Sequence, residues 1–331
     1  MRKIKIAQIG TGANNHGSSM FETLTKLSDV FEVVGYVMPE NERERLPNQM
    51  RYFENYKELT LDEVLNDPEI EAVTVEVEEQ LLTKYALLAA KAGKHIQMEK
   101  PGGVSLSDFE ELIDTVKKTG KIFHTGYMYR YNPFIIQLLD EIKRGEYGDI
   151  ISVEAQMNCD HGSVLRSWLG EFPGGIMFYL GCHLVDLIHL IAGTPKKILP
   201  MNKVSGKENT TSEDFGFAVF DYENGISFAK VSAVEVGGYV RRQLVVSGTK
   251  KTLEIKPFEI LAGYPNIMTE KTEYTQADWS DKGNHEQSQV FNRYELMLRY
   301  FAKYVRGEEE NPYSPDYELE TFKMIKAACG K

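Results

Sequence analysis

An amine that can be held out of water is the first chemical possibility in this sequence. Lys100 stands in Glu99-Lys100-Pro101-Gly102-Gly103, directly after His95-Ile96-Gln97-Met98. Pro101 fixes its own φ, removes a donor and restricts the residue before it, so the lysine enters a constrained turn. A small-residue helix pattern from Tyr85 to Ala92, closed by Gly93, precedes the run. That order reads as helix, glycine cap, short strand and turn. The carboxyl end of such a strand is where α/β domains bind ligands. A partly buried amine near another positive charge has a lowered pKa and can donate to or polarise an oxygen. The alternative is a surface lysine before an ordinary turn, and the tripeptide alone does not separate the two.

A second set of groups lies on a helix pattern running from Gly175 to Ala192. Ile176, Leu180, Leu184, Leu187 and Ile191 form its apolar face, and Tyr179, His183 and Asp186 follow the same period on a neighbouring stripe. Polar groups on the edge of an apolar helix need partners or a cavity. His183 has the right ordinary pKa to take a proton at neutral pH. Tyr179, one turn earlier, is placed to orient it or to share in proton transfer. The alternative is a core histidine capped by Asp186. Upstream, Arg166 offers a fork for hydroxyls or a carboxylate and Trp168 a face for a sugar ring, with ordinary packing as the competing reading. Asp160-His161 resembles half a metal site but has no third ligand at a recognisable spacing, so no metal is expected.

The third set is Gly10-Thr11-Gly12-Ala13-Asn14-Asn15-His16-Gly17, after the strand pattern Ile4 to Ile9. Glycines there allow a tight turn and close approach of amides to a pyrophosphate. Gly10 and Gly12 meet that need; the third glycine is expected at Asn15, and Gly17 comes two residues late. A ribose-binding acid is expected where the second strand, Phe31–Val37, ends. The residues there are Met38-Pro39-Glu40, so that acid is absent or displaced to Glu40. Arg43 and Arg45 stand close enough to meet a 2′-phosphate instead, and the residues leave NAD and NADP both open.

The elements that must position these groups fall into two regimes. Strand and helix alternate through the first 125 residues, which predicts a doubly wound parallel sheet. This part includes helices over Tyr56–Leu65, Thr83–Ala92 and Phe109–Lys118. After a helix over Asn132–Lys143 the rhythm changes to alternating β-branched runs, at Ile151–Asn158, Asp214–Asp221, Ile226–Val234, Val240–Ser247 and Thr252–Ile255. Strands without intervening helices predict an antiparallel sheet in an α+β domain. The tail predicts helices over His285–Arg306 and Pro315–Ala328. Domains are therefore expected over 1–125 and 126–331, the last helices packing back on the first domain.

Composition narrows the function. The chain has 331 residues, 38 Lys plus Arg against 49 Asp plus Glu, and a net charge of −11. That excess of acid disfavours nucleic acid or an anionic membrane as partner. Cys159, Cys182 and Cys329 are scattered, which predicts neither a disulfide framework nor a zinc site. The start reads straight into a strand without a signal-peptide pattern, and the apolar run from Ile176 contains His183, Asp186 and His189, so a cytoplasmic protein without a membrane span is expected.

Taken together, Ala92-Gly93-Lys94-His95, Glu99-Lys100-Pro101, Gly126-Tyr127-Met128-Tyr129-Arg130-Tyr131-Asn132-Pro133, Gly174-Gly175 and Gly181-Cys182-His183-Leu184-Val185-Asp186 resemble the Gfo/Idh/MocA family. These are the glucose–fructose oxidoreductase and inositol dehydrogenase relatives, and the motifs run in the family order along the whole chain. The resemblance implies an N-terminal Rossmann domain, a C-terminal open antiparallel sheet and a site in the cleft between them. It implies a nicotinamide cofactor, NAD ahead of NADP, with Gly10 and Gly12 at the pyrophosphate and Glu99 and Lys100 beside the ring. Thr11, Ala13, Asn14, Met38, Glu40 and Arg130 complete the candidate cofactor contacts. Candidate substrate contacts are Lys100, Tyr127, Asn158, Arg166, Trp168 and His183, and Lys100, His183 and Tyr179 are the candidate catalytic groups. The implied partner is a carbohydrate, with a homo-oligomer (dimer or tetramer) formed through the C-terminal sheet.

The chain departs from the family pattern in several places. Tyr179 stands where an aspartate is usual, and Glu76-Val77-Glu78-Glu79-Gln80 replaces a loop that usually carries a proline and then a histidine. The expected reaction is oxidation or reduction of a secondary alcohol on a sugar or polyol. Two other readings are a sugar epimerase or eliminating glycosidase with a retained nicotinamide, and a nucleotide- or sugar-binding regulator with degenerate chemistry.

Overall fold

Apolar strands alternating with amphipathic helices form, in the computed structural model of the chain, a parallel sheet at the amino-terminal end. The structure describes residues 2–12, 16–276 and 278–331. It divides into two units, one of Met1–Met128 with Tyr294–Leu319, the other of Tyr129–Arg293 with Glu320–Lys331.

In the first unit the strands are β1 (Ile4–Ile9), β2 (Phe31–Val37), β3 (Ala72–Val75), β4 (His95–Met98) and β5 (Phe123–Thr125). They lie in the order β2-β1-β3-β4-β5, all parallel. Ile4, Ile6, Ile9, Val73 and Val75 are fully buried, as strands covered on both faces must be. The order reverses between β1 and β3, the topological switch point where such sheets bind ligands. The helices are α1 (Gly17–Lys26), α2 (Glu42–Arg45), α3 (Leu61–Asn66), α4 (Leu82–Lys91) and α5 (Leu106–Thr119). A capping box of Thr60 and Glu63 opens α3, and Ser105 caps α5, which Gly120 ends at φ 66°. The helix expected over Tyr56–Leu65 is therefore shorter, because Thr60 stops it from extending backwards. Short helices at Glu42–Arg45 and Pro47–Tyr52 stand where none was expected.

The second unit begins with α6 (Pro133–Lys143), β6 (Ile150–Asn158), α7 (Ser163–Trp168) and α8 (Cys182–Ala192). Its strands continue with β7 (Lys197–Pro200), β8 (Phe215–Asp221), β9 (Ile226–Ser232), β10 (Gln243–Gly248) and β11 (Thr252–Ile255). They end with β12 (Ile260–Leu261), β13 (Asn266–Met268), β14 (Glu270–Tyr274), β15 (Asn284–Gln287) and β16 (Phe291–Asn292). Eight of these form one sheet, β15-β14-β11-β10-β6-β9-β8-β7. It is antiparallel except for β6 and β9, which pair parallel at its centre. Leu184, Leu187 and Ile188 of α8 are buried, and the helix packs on β6 and β9. Each such side chain contributes about 1.5–3 kcal/mol of burial.

Two expected helices are corrected here. The pattern from Gly175 to Ala192 is not one α-helix: Met177–Gly181 forms a π turn before α8. The pattern from His285 begins as a helix only at α9 (Glu295–Arg306), because Asn284–Gln287 pairs with β14 as β15. Then α10 (Pro315–Ala328) runs over the expected residues. Among the described residues no helix is long and apolar enough to cross a membrane, and no group of three metal-binding side chains occurs. The three cysteines are free and buried.

Candidate functional site

The glycine loop after β1 is built for close backbone approach. Gly10 adopts φ +89°, and a Cβ there would meet the Val77 backbone at 2.7 Å. Gly17 opens α1, and a Cβ on it would come within 2.4 Å of the Thr11 carbonyl oxygen. Gly17 thus does the close-packing work of a third fingerprint glycine, two residues later than the usual spacing. The amide of Gln8, fully buried, donates to the Gly10 carbonyl at 3.0 Å and to the Gly17 carbonyl at 2.9 Å, fastening the two ends of the loop. Such a loop fits a dinucleotide pyrophosphate, because bulk that a side chain would add is missing where the backbone must approach. Ala13 and Asn14 lie outside the described residues, as does Asn15.

The acid that belongs with this loop is Glu42, which the sequence reading missed. Its carboxylate accepts from the Thr11 amide at 2.8 Å and the Thr11 hydroxyl at 3.1 Å. Burial pushes its pKa up to about 7 against the pull of those bonds. Glu40 is exposed and bonded to Lys84 at 2.6 Å and to the Tyr85 hydroxyl at 2.8 Å. Arg43 pairs with Glu58, and Arg45 with Glu78 at 2.8 Å. Met38 packs against the aromatic cluster of Phe21, Tyr36 and Phe53.

At the carboxyl end of β4, Glu99 and Lys100 are both buried, with Nζ 3.6 Å from Glu99 Oε1. The turn beyond them, entered through a cis Lys100–Pro101 bond, is tied to α4 by Thr83, whose hydroxyl donates to the Gly102 carbonyl at 2.6 Å. Tyr127 is buried, its hydroxyl 3.5 Å from the Pro101 carbonyl. Glu76 and Glu79, in the loop after β3, are buried as well; among the described residues no donor meets the Glu76 carboxyl, and only its own backbone amide acts on that of Glu79. Burial raises both, Glu99 raising Glu76 further while the Lys100 charge pulls each down. Within the chain the Lys100 amine is therefore set among carboxyl groups.

In the second unit His183 lies on the first turn of α8 and is 3% exposed. The edge of its ring meets Tyr129 at 4.9 Å and 81°. Tyr129 packs in turn on Phe258, and its hydroxyl accepts from Arg293 at 3.2 Å. Burial would raise Glu259, but Arg293 and Arg242, at 2.7 and 2.6 Å, hold its carboxyl below the ordinary value. Asp186 does not cap His183 alone as a simple core pair would require; it takes the Arg130 guanidinium at 2.6–3.1 Å, both groups buried. The Arg130 fork thus closes on α8.

The remaining candidates divide sharply. Arg166 is fully buried, donating to the carbonyls of His161 and Lys207, to Thr210 and to the carboxylates of Asp214 and Glu208. Those bonds commit its fork to the loops around α7. Trp168 is half-buried and packs edge-on against Tyr179 at 5.2 Å and Phe172 at 4.7 Å. Tyr179 sits in the π turn, so the α-helical spacing that linked it to His183 is interrupted, and its ring turns to Trp168. Asn158, at the end of β6, is fully buried with neither amide atom hydrogen-bonded.

The chain belongs to the Gfo/Idh/MocA oxidoreductases. Residues 4–127 match the family described as an oxidoreductase family with an NAD-binding Rossmann fold, and residues 135–254 match the Gfo/Idh/MocA C-terminal domain. An uncharacterised oxidoreductase of Rhizobium meliloti is 25% identical over 80% of this chain and 79% of its own. A scyllo-inositol 2-dehydrogenase (NADP+) of Bacillus subtilis is 27% identical over 54% of this chain and 49% of its own. Levoglucosan dehydrogenase, solved with NADH and levoglucosan, shares the fold at a TM-score of 0.77 and 16% identity, over 99% of this chain and 98% of its own.

Proposed function

We propose that this chain is an NAD(P)-dependent oxidoreductase that interconverts a secondary alcohol of a sugar, polyol or sugar derivative with its carbonyl form. The observation that carries the reading is the buried Lys100–Glu99 pair at the carboxyl edge of β4, in a sheet whose β1 loop admits a pyrophosphate. The bound nicotinamide supplies the acceptor or donor of a hydride. Gly10 and Gly12 would let the loop backbone approach the phosphates, with Thr11 between them held by Glu42. Lys100 donates a hydrogen bond to the reacting oxygen and polarises it. His183, held by the edge of Tyr129, takes the hydroxyl proton as the carbon gives up its hydride, and returns it in the reverse direction. Asn158 and Tyr127 supply hydrogen bonds to the sugar, and Trp168 with Tyr179 a stacking surface.

Arg43 and Arg45 are already paired with Glu58 and Glu78, which favours NAD over a 2′-phosphorylated cofactor. The levoglucosan and inositol enzymes among the relatives support the carbohydrate class.

The test is a screen of sugars and polyols with NAD+ and NADP+, read by reduced-nicotinamide absorbance. On the substrate found, Lys100→Ala and His183→Ala should each lower kcat/KM by about 10²–10⁴-fold, with nucleotide still bound. Unchanged turnover in both variants would refute these roles.

A further inference from the structure

We propose that Glu76, Glu79 and Glu99 form a buried acidic receptor for the positive charge of the oxidised nicotinamide ring. The cluster gives up a proton when that cation binds and keeps it when the neutral reduced ring binds. The inference rests on the dinucleotide reading above and extends it from Glu99 to Glu76 and Glu79, which no family motif supplies.

Topology places the cluster. The sheet reverses between β1 and β3, so a dinucleotide crosses between the loop at Gly10–Gly12 and the loop at Glu76–Gln80. Those loops touch, since a Cβ on Gly10 would fall 2.5 Å from the Val77 side chain, between Glu76 and Glu79 in sequence. In this fold the β2 side carries the acid for the adenosine ribose, here Glu42 on Thr11. The β3–β4 side is left for the nicotinamide half. Val75 is paired with Met98, so Glu76 and Glu99 follow at equivalent positions on adjacent strands.

Charge then says what the cluster wants. Three carboxyl groups share Lys100: Glu99 within 3.6 Å, Glu76 and Glu79 through its field. Every ionised group that acts on them is in this set, apart from Glu78, whose own charge is met by Arg45 of α2. Among the described residues no donor meets the Glu76 carboxyl, and only its own backbone amide acts on that of Glu79; a poorly paired buried carboxylate is expensive. Burial therefore biases Glu76 and Glu79 towards their protonated forms. A cation arriving nearby supplies the missing counter-charge through a low-dielectric medium, ionises a carboxyl and sends its proton to solvent.

Calorimetric titration of the purified protein with NAD+ and with NADH, in buffers of different ionisation enthalpy, counts the protons released. The oxidised form should release about one proton more than the reduced form, so the ratio of their affinities should rise by up to about tenfold per pH unit. Glu76→Gln and Glu79→Gln, checked for folding by thermal melting, should each shrink the difference, and the double variant should abolish it. Glu42→Gln changes a group on the adenosine side, common to both forms, and should leave the difference intact. Equal proton release by the two forms in the wild type, or a difference that survives the double variant, would overturn the inference alone. Failure of the wild type to bind either nucleotide, or their 2′-phosphorylated counterparts, would remove the dinucleotide reading together with it.

Discussion

The buried charges of the two units are handled in opposite ways. Among the described residues of the second unit, the buried cations Arg130, Arg166, Arg242 and Lys271 meet Asp186, Asp214, Glu259 and Glu273 at bonding distance. In the first, Glu76 and Glu79 are as deeply buried, and among the described residues no side chain donates to either carboxyl. A satisfied pair costs little to keep and fixes geometry, which suits the frame around His183. An unsatisfied carboxyl is a standing cost. A protein retains one where something that binds will remove it. On the proposals above, the contrast separates groups that hold the site from groups that meet its ligands.

The largest break in that contrast comes from the paired side. Arg130→Ala leaves Asp186 buried without its partner, and should cost about 3–5 kcal/mol, read as a lower urea midpoint. A loss below about 1 kcal/mol would mean that the pair is relieved by water and is no frame.

A pH series sharpens the unpaired side. Glu42 titrates at about 7 in the folded chain, chiefly because it is buried, and near 4.3 when unfolded. The folded state thus holds an extra proton between those values, and stability falls as pH rises from about 4.5 to about 7. Glu76 and Glu79, raised in the same direction, add to the slope. Melting temperature against pH should flatten in this window for Glu42→Gln, while Asp186→Asn, on the paired side, should lose stability instead. A wild type whose melting temperature rises across the window would contradict the burial of these acids.

The smallest effect lies away from both clusters. Thr60→Ala removes the side-chain half of the α3 capping box and should cost about 1 kcal/mol, with nucleotide affinity unchanged.

Much of this was legible in the chain. The parallel sheet followed from alternating strand and helix patterns, and the helix expected over Pro315–Ala328 forms over those residues. Lys100 and His183 stood out because their residue types sat at marked places in those patterns. What was hidden depended on distant partners. Asn284–Gln287 has the polar character of a helix surface, but pairing with β14 makes it a strand. The π turn at Met177–Gly181 shifts Tyr179 by an amount that a 3.6-residue period cannot register. Glu42 and Gln8 carry no local signal, since what defines each is a bond to the glycine loop. Only the Glu76–Glu79 stretch gave a warning, as acids in an apolar context.

The first unit is discontinuous, and this has a consequence for synthesis. Met297, Leu298 and Phe301 of α9 are fully buried, and His124 of β5 packs on Phe301 and Tyr304. A ribosome that has released β5 has not yet made the helix that covers it. At about 5–20 residues per second, roughly ten to thirty seconds separate the two. Through that interval the nascent sheet has an uncovered apolar face, a natural resting place for a chaperone.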